Sequence, residues 1–279
     1  MNLRRSIYLL AFFNLVVWGS VFMDLRRQDF SLNFFSVGQG DSEMMSSQGV
    51  NILIDGGPSG KVLSEVENVL GRNKYIDIMI LTHPHADHYV GLAEVIGRYR
   101  VGALLLPEAD SSDPAFLEFM NEITDRGITV VKIGEGDKIS QGDTEIDILS
   151  PSGGDMKDMN ARSVVMMIDH KGTKALLTGD IGTKEEARLV KKYDIDADIL
   201  KVPHHGSNGS SSADFLREVS PKISVVELGE GNRYGFPKQE VLDRLGAVGS
   251  ITYRTDTDGP LKVLLSEGDL RVVRLKAAP

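Results

Sequence analysis

Ile78-Met79-Ile80-Leu81-Thr82-His83-Pro84-His85-Ala86-Asp87-His88 sets an apolar run directly before three imidazoles and a carboxylate. The apolar part reads as a buried strand over Ile76 to Leu81. The part that follows reads as a loop crowded with metal ligands. His83 and His85, two residues apart, can turn towards one ion, while Asp87 and His88 face a second. A solvated turn has no need of four such groups within six residues. Imidazole mixed with carboxylate suits zinc, manganese or iron, and an open coordination position on such an ion yields a hydrolytic nucleophile at neutral pH.

The remaining histidines sharpen this reading. Of six in the chain, five lie in two tight clusters, the second being Pro203-His204-His205-Gly206. His170 alone lies elsewhere, at a turn after Ser163 to Ile168, and reads as a surface histidine. Leu176-Leu177-Thr178-Gly179-Asp180 is another apolar run ending in a carboxylate. An aspartate placed between two cations can bridge them. Asp55, after Ile52-Leu53-Ile54, is either an orienting partner of the histidine segment or a turn aspartate before Gly56-Gly57.

The 279 residues, 41% hydrophobic and 25% charged, describe a folded globular chain. A net charge of -9 argues against sequence-blind polyanion binding by global attraction, though not against a local basic groove. There is no cysteine, so disulfides, thiolate ligands and cysteine nucleophiles are excluded.

Strands are expected at Ser31 to Phe35, Val50 to Ile54, Ile76 to Leu81, Val101 to Leu106, Ile128 to Ile133, Thr144 to Leu149 and Ser163 to Ile168. Others are expected at Lys174 to Leu177, Ile199 to Val202, Ile223 to Val226, Ser250 to Tyr253, Leu261 to Leu265 and Leu270 to Arg274. Helices are expected at Lys61 to Leu70, Val90 to Gly97, Pro114 to Asp125, Lys184 to Tyr193, Ala213 to Val219 and Pro237 to Leu245. Thr183 with Glu186 suggests a capping box, and Pro237 suits a first helical turn. Two interleaved halves, each with a histidine-bearing loop, imply a layered protein whose site lies where the halves meet.

Arg4 and Arg5 precede an uncharged stretch from Ser6 to Met23, 18 residues long. At about 1.5 Å per residue this just reaches a membrane span. No small-x-small cleavage site follows, so residues 1–28 read as an uncleaved anchor with Trp18 near an interface, rather than as a removed signal that would release the chain. Arg26 and Arg27 weaken the charge asymmetry. The short N-terminal tail favours a globular part, residues 29–279, outside the cytoplasm. A buried N-terminal helix is the alternative.

His83-x-His85-x-Asp87-His88, Asp180 and His205 together resemble the metallo-β-lactamase superfamily. Ser36-Val37-Gly38-Gln39-Gly40-Asp41, Asn160 with Ser163, and Leu200-Lys201-Val202-Pro203-His204-His205-Gly206-Ser207 narrow the resemblance to its ComEC-type branch, associated with DNA uptake. Asn232-x-Tyr234-Gly235-x-Pro237 and Thr255-Asp256 to Gly259 add to it. From about residue 30 onward, the resemblance implies an α+β fold, a four-layer αββα sandwich with one or two divalent transition-metal ions at its edge, zinc before manganese or iron. It implies that His83 and His85 hold the first ion, that Asp87, His88 and His205 hold the second, and that Asp180 bridges. His204 would support the ligands from behind or face substrate, and the resemblance leaves the metal-binding role open between His204 and His205. Asp87, Asp180 and His204 are the expected catalytic set. Gln39, Asp41, Asp55, Asn160, Ser163 and Phe236 are expected to border it.

Three departures stand out. The superfamily often has a further histidine where this chain runs Asn160 to Ser163. Ser36 stands where the branch opens with aspartate. Phe236 replaces the histidine of Asn-x-Tyr-Gly-His-Pro, removing a polar group from the substrate side. The implied activity is metal-dependent phosphodiester hydrolysis, with DNA as one substrate class and a small phosphodiester as another. The alternatives are acyl hydrolysis of the β-lactam type, iron-based redox chemistry, and a degenerate domain that binds metal, DNA or another ligand without turnover. A di-iron oxidase would want a carboxylate at His85, and no flavin-binding domain follows.

Overall fold

A computed structural model describes residue 8 and residues 10–19, 30–108, 111–152, 158–266 and 269–275. Two mixed sheets lie face to face. The eight-stranded sheet runs, edge to edge, Asp269–Arg274, Leu261–Ser266, Phe30–Phe34, Glu43–Ser47, Val50–Ile54, Tyr75–Ile80, Arg100–Leu106 and Thr129–Lys132. The seven-stranded sheet runs Ile251–Arg254, Ile223–Val226, Ile199–Lys201, Thr173–Leu177, Val165–His170, Thr144–Ser150 and Lys138–Gln141.

Strand periodicity builds the layers. Successive side chains point to opposite faces, so Ile52 and Ile54 enter the layer between the sheets while Leu53 points outward. Ala175 and Leu177 face inward in the second sheet and Leu176 outward. The outward residues of the first sheet pack under helices Val62–Leu70, Ala86–Ile96 and Pro114–Asp125. Those of the second pack under Thr183–Lys192, Ala213–Val219 and Gln239–Ala247. The architecture is therefore the four-layer αββα sandwich. Helix and sheet approach closely beside the site: a Cβ on Gly91 would collide with the carbonyl of Gly56, so only hydrogen fits there.

Several sequence expectations are corrected. Glu43–Ser47 and Lys138–Gln141 are additional strands. The first carries Glu-Met-Met-Ser-Ser with no β-branched residue, and the second has only Ile139 as an apolar signal. Helix Ala86–Ile96 starts four residues before the expected Val90, so Asp87 and His88 form its first turn. Thr183 makes no capping bond. Glu186 instead accepts from the backbone amides of Ser211 and Ser212, which stitches two helices together. Pro237 precedes Lys238, the N-cap of helix Gln239–Ala247, and lies outside it. His170 is buried, not superficial: it shares the inward parity of Met166 and Ile168, stacks on Phe30 at 4.8 Å, and its Nδ1 lies 2.8 Å from Thr144 Oγ1.

At the N-terminus, residues 10–19 are helical and exposed, including Leu10, Phe12, Phe13, Leu15 and Trp18, which removes the buried-helix alternative for that stretch. Among the described residues, no helix is long and apolar enough to cross a membrane. The flanking parts of the expected anchor, with Arg4, Arg5, Arg26 and Arg27, lie outside the described residues.

Candidate metal centre

Four strand ends from the two sheets deliver the chemistry. After Tyr75–Ile80 the chain passes through Thr82 and His83 into helix Ala86–Ile96, which carries Asp87 and His88 in its first turn. Asp55 follows Val50–Ile54, Asp180 follows Thr173–Leu177, and the His204-His205 pair follows Ile199–Lys201. His204 and His205 both adopt left-handed backbone, with φ of 49° and 52°. For residues with a Cβ this costs about 1–2 kcal/mol each. The unusual turn sends His205 into the buried interior and leaves His204 half-buried at the rim. The opening loop approaches from the other side, and a Cβ on Gly40 would strike the backbone carbonyl of Asp87.

Asp87, His88, Asp180 and His205 converge, each offering one ligand atom within 4.8 Å of the others. His88 Nε2 lies 3.5 Å from Asp180 Oδ2 and 4.0 Å from Asp87 Oδ1. His205 Nε2 lies 3.6 Å from Asp180 Oδ2 and 3.6 Å from Asp87 Oδ2. The opposite ring nitrogens are tied down. His88 Nδ1 is 2.7 Å from Asp55 Oδ2, and His205 Nδ1 is 2.8 Å from the Glu227 carbonyl and 3.2 Å from Asp41 Oδ1. Carbonyls and carboxylates accept, so both Nδ1 atoms donate and both Nε2 atoms are turned into the cluster.

The electrostatics match a hole shaped for a cation. Burial alone would lower the His88 pKa, yet Asp55 and Asp180 raise it well above the ordinary imidazole value. Burial is likewise overcome at His205, which Asp180 and Asp41 push up to about 10. Asp180 is held well below the usual carboxylate range: burial opposes this, but His205 and His88 outweigh it. Asp87 is lowered against burial by His205 and His88. The buried Nε2 atoms of His88 and His205 and Oδ1 of Asp180 have no hydrogen-bond partner among the described residues. Orphaned donors and acceptors in a sealed site are costly, on the order of 1–3 kcal/mol each. A divalent cation satisfies both Nε2 atoms, while Asp180 Oδ1 lies 3.6 Å from Lys201 Nζ, and the imidazole-carboxylate donor set suits zinc, manganese or iron over calcium or magnesium.

His83 and His85 sit beside this cluster. His83 Nε2 is 3.1 Å from His85 Nδ1, and the His83 ring centre is 4.1 Å from that of His88. Among the described residues, neither belongs to a group of three mutually close ligand atoms. Burial, then His88, keeps His83 well below the ordinary imidazole pKa. Ser163 places Oγ 3.3 Å from His83 Nδ1 and accepts from the Asp180 amide at 3.1 Å. Asp55 also accepts from Thr82 N at 2.8 Å and Thr82 Oγ1 at 2.6 Å, fixing the start of the histidine segment.

The other expected border residues are spread around this centre. Gln39 Oε1 accepts from Gly229 N at 3.3 Å, and Ser36 Oγ donates to the Thr255 carbonyl at 3.1 Å, so the opening loop is pinned to two later segments. Asn160 heads a short 3-10 turn, and its Oδ1 has no hydrogen-bond partner among the described residues. Phe236 lies between His204, 6.1 Å away and nearly perpendicular, and Tyr234, stacked at 5.5 Å. Arg233 lies over Tyr234 and Lys238 over Phe236, giving a rim that is both aromatic and basic. Tyr234 and Lys201 stand in motif segments whose resemblance assigns them no role. Lys201 is a charged residue inside Ile199-Leu200-Lys201-Val202, where the buried strand leaves it no water.

This arrangement of sandwich and ligands defines a class, and the chain belongs to the metallo-beta-lactamase superfamily, whose family signature matches residues 37–229. Within it, the chain is similar to ComE operon protein 3 of Bacillus subtilis (strain 168), 30% identical over an alignment of 252 residues that covers 83% of this chain and 32% of that protein. The chain thus spans about a third of that relative's length. Among solved structures it resembles the metallo-beta-lactamase fold protein YhfI of Bacillus subtilis (TM-score 0.58, 13% identity, covering 84% of this chain and 99% of that one). It also resembles CmlA, a diiron beta-hydroxylase from Streptomyces venezuelae (TM-score 0.57, 16% identity, covering 89% and 54%).

Proposed function

We propose that this protein is a metal-dependent phosphodiesterase of the competence-associated type, tethered by its N-terminal segment with its catalytic part outside the cytoplasm. The observation that carries this reading is the pair of orphaned Nε2 atoms on His88 and His205, aimed at Asp87 and Asp180. Asp87, His88, Asp180 and His205 would hold one ion, with Asp180 shared towards His83 and His85 should a second be present. A bound divalent ion supplies Lewis-acid polarisation of a phosphoryl oxygen and lowers the pKa of a water.

The chain's own residues do the rest. Asp55 and the Glu227 carbonyl fix the tautomers of His88 and His205. His204, whose pKa burial lowers, stands at the rim as a neutral imidazole positioned to face substrate. Asp87, 36% exposed at its side chain, is the member of the ligand set most open to solvent, and its carboxylate is suited to orient an incoming water. The aromatic rim of Tyr234 and Phe236, flanked by Arg233 and Lys238, favours a phosphodiester bearing a planar group, as in a nucleic acid, despite the overall charge of -9.

The test uses the detergent-solubilised full chain, stripped of metal and reloaded with zinc, manganese or iron. Bound ions are counted while turnover of bis(p-nitrophenyl) phosphate, single-stranded DNA, an aryl ester and a β-lactam is followed. Metal-dependent phosphodiester turnover exceeding ester and lactam turnover supports the proposal. Metal uptake with no turnover of any substrate makes the protein a binding module instead.

A further inference from the structure

Beneath the ligand cluster, in the layer between the sheets, lies a second set of charged groups. Lys201 is fully buried and points inward, sharing the parity of Ile199. Its Nζ donates to the Gly179 carbonyl at 2.9 Å, pairs with Asp41, and lies 3.6 Å from Asp180 Oδ1. Glu43 and Glu227 share this layer. Burial pushes Glu43 up to about 8 and raises Glu227 well above the carboxylate range, which leaves Asp41 and Asp180 as the anions facing the ammonium.

The two oxygens of Asp180 therefore have separate surroundings: Oδ1 faces Lys201 and Oδ2 faces His88 and His205. Asp41 belongs to the segment entering the first sheet, Lys201 and Gly179 to the second. Asp41 in turn meets His205 Nδ1 through Oδ1. One ammonium thus reaches two of the four converging ligand residues by different routes, directly to Asp180 and through Asp41 to His205.

We propose that Lys201 is a positioning residue, whose buried ammonium ties Asp41 of one sheet to Gly179 and Asp180 of the other and thereby sets the direction in which Asp180 and His205 present their ligand atoms. The inference rests on the metal-binding reading above. Groups that orient metal ligands change affinity by roughly 10–100-fold when lost. Three roles give different signs here. A positioning residue weakens metal binding when removed. A mere counter-charge tightens it when removed, because an opposing positive charge is gone. A space-filling residue leaves it unchanged.

The experiment compares wild type, Lys201→Met, Asp41→Asn and the double variant as full chains. Zinc affinity is measured by competition with a chromophoric chelator, and melting temperature with and without metal. The double variant removes both partners of the pair and so avoids stranding one buried charge, which protects the fold. The expected result is at least tenfold weaker zinc binding in Lys201→Met and in the double variant. The two substitutions should be non-additive, the double loss being close to the larger single one. Binding within twofold of wild type, tighter binding, strict additivity, or failure of every variant to fold would each overturn the positioning role. If wild type itself binds no zinc, the metal reading has failed and not this inference alone.

Discussion

Asp55 holds the Nδ1 edge of His88 at 2.7 Å while the Nε2 edge of the same ring looks at Asp180 from 3.5 Å. One carboxylate therefore chooses which nitrogen of His88 is free. The same Asp55 grips Thr82 twice, so it sets both the orientation of a ligand and the path of the segment that carries it.

Asp55→Ala should weaken metal binding by roughly 10–100-fold, as is typical when the partner of a metal-binding imidazole is lost. Asp55→Asn should do less harm, because its carbonyl oxygen still accepts one of the bonds. Chelator competition on both variants checks this, and equal affinities for Asp55→Ala and wild type would contradict the coupling.

Metal-free protein should lose stability as pH rises. His205 is raised to about 10 in the fold, against about 6.5 in an unfolded chain. The folded state holds that proton more tightly, so its stabilisation is fully present below about pH 6.5 and is lost as pH climbs towards about 10. His88 adds in the same direction. Asp180, lowered in the fold, contributes stability above about pH 3.9 that disappears on acidification. Metal replaces the protons on the imidazoles, so metal-loaded protein should melt at nearly constant temperature from pH 6.5 to 10, and its apparent affinity should rise with pH. Melting curves of both forms across this window provide the check.

Asp180→Asn and His85→Ala should abolish phosphodiester hydrolysis. His170→Ala should keep turnover per folded molecule and metal content, but lower stability by about 1–3 kcal/mol through the lost stacking on Phe30 and the lost bond to Thr144. Loss of turnover in all three folded variants would displace the site.

Phe236→His should improve substrates with poor leaving groups selectively. A phenyl ring can neither protonate a leaving oxygen nor donate to phosphate, and acid assistance is worth roughly 10²–10⁴-fold where it operates. The ring's place between His204 and Tyr234 puts it at the rim. Rates over a leaving-group series on both proteins decide the matter, since a uniform change would assign Phe236 to packing alone.

Much of this molecule is legible in its primary structure because burial on one or both faces of a strand leaves a plain mark. Val50–Ile54, Ile223–Val226 and Pro114–Asp125 fall where the hydrophobic pattern puts them. Glu43–Ser47 hides because its inward positions hold Glu43, Met45 and Ser47, a mixture that no period-two rule selects. The ligand segments announce themselves by chemistry. Lys201 does not, because a lysine in sequence reads as solvated, and only a partner 160 positions earlier, Asp41, accounts for it. His170 misleads in the same sense, a polar ring before Lys171-Gly172 that the inward parity of its strand draws into the core.

The four converging ligand residues come in equal numbers from the two halves of the sandwich: Asp87 and His88 from beside the first sheet, Asp180 and His205 from beside the second. An ion held among them acts as a rivet through a seam otherwise closed by apolar contact and by polar ties such as Lys201 with Asp41 and Ser47 with Thr144. Cutting the chain between Thr129–Lys132 and Lys138–Gln141 would separate the two ligand pairs into different fragments. Such fragments should then reassemble more tightly with metal than without it, making zinc a reagent for complementation as well as for chemistry.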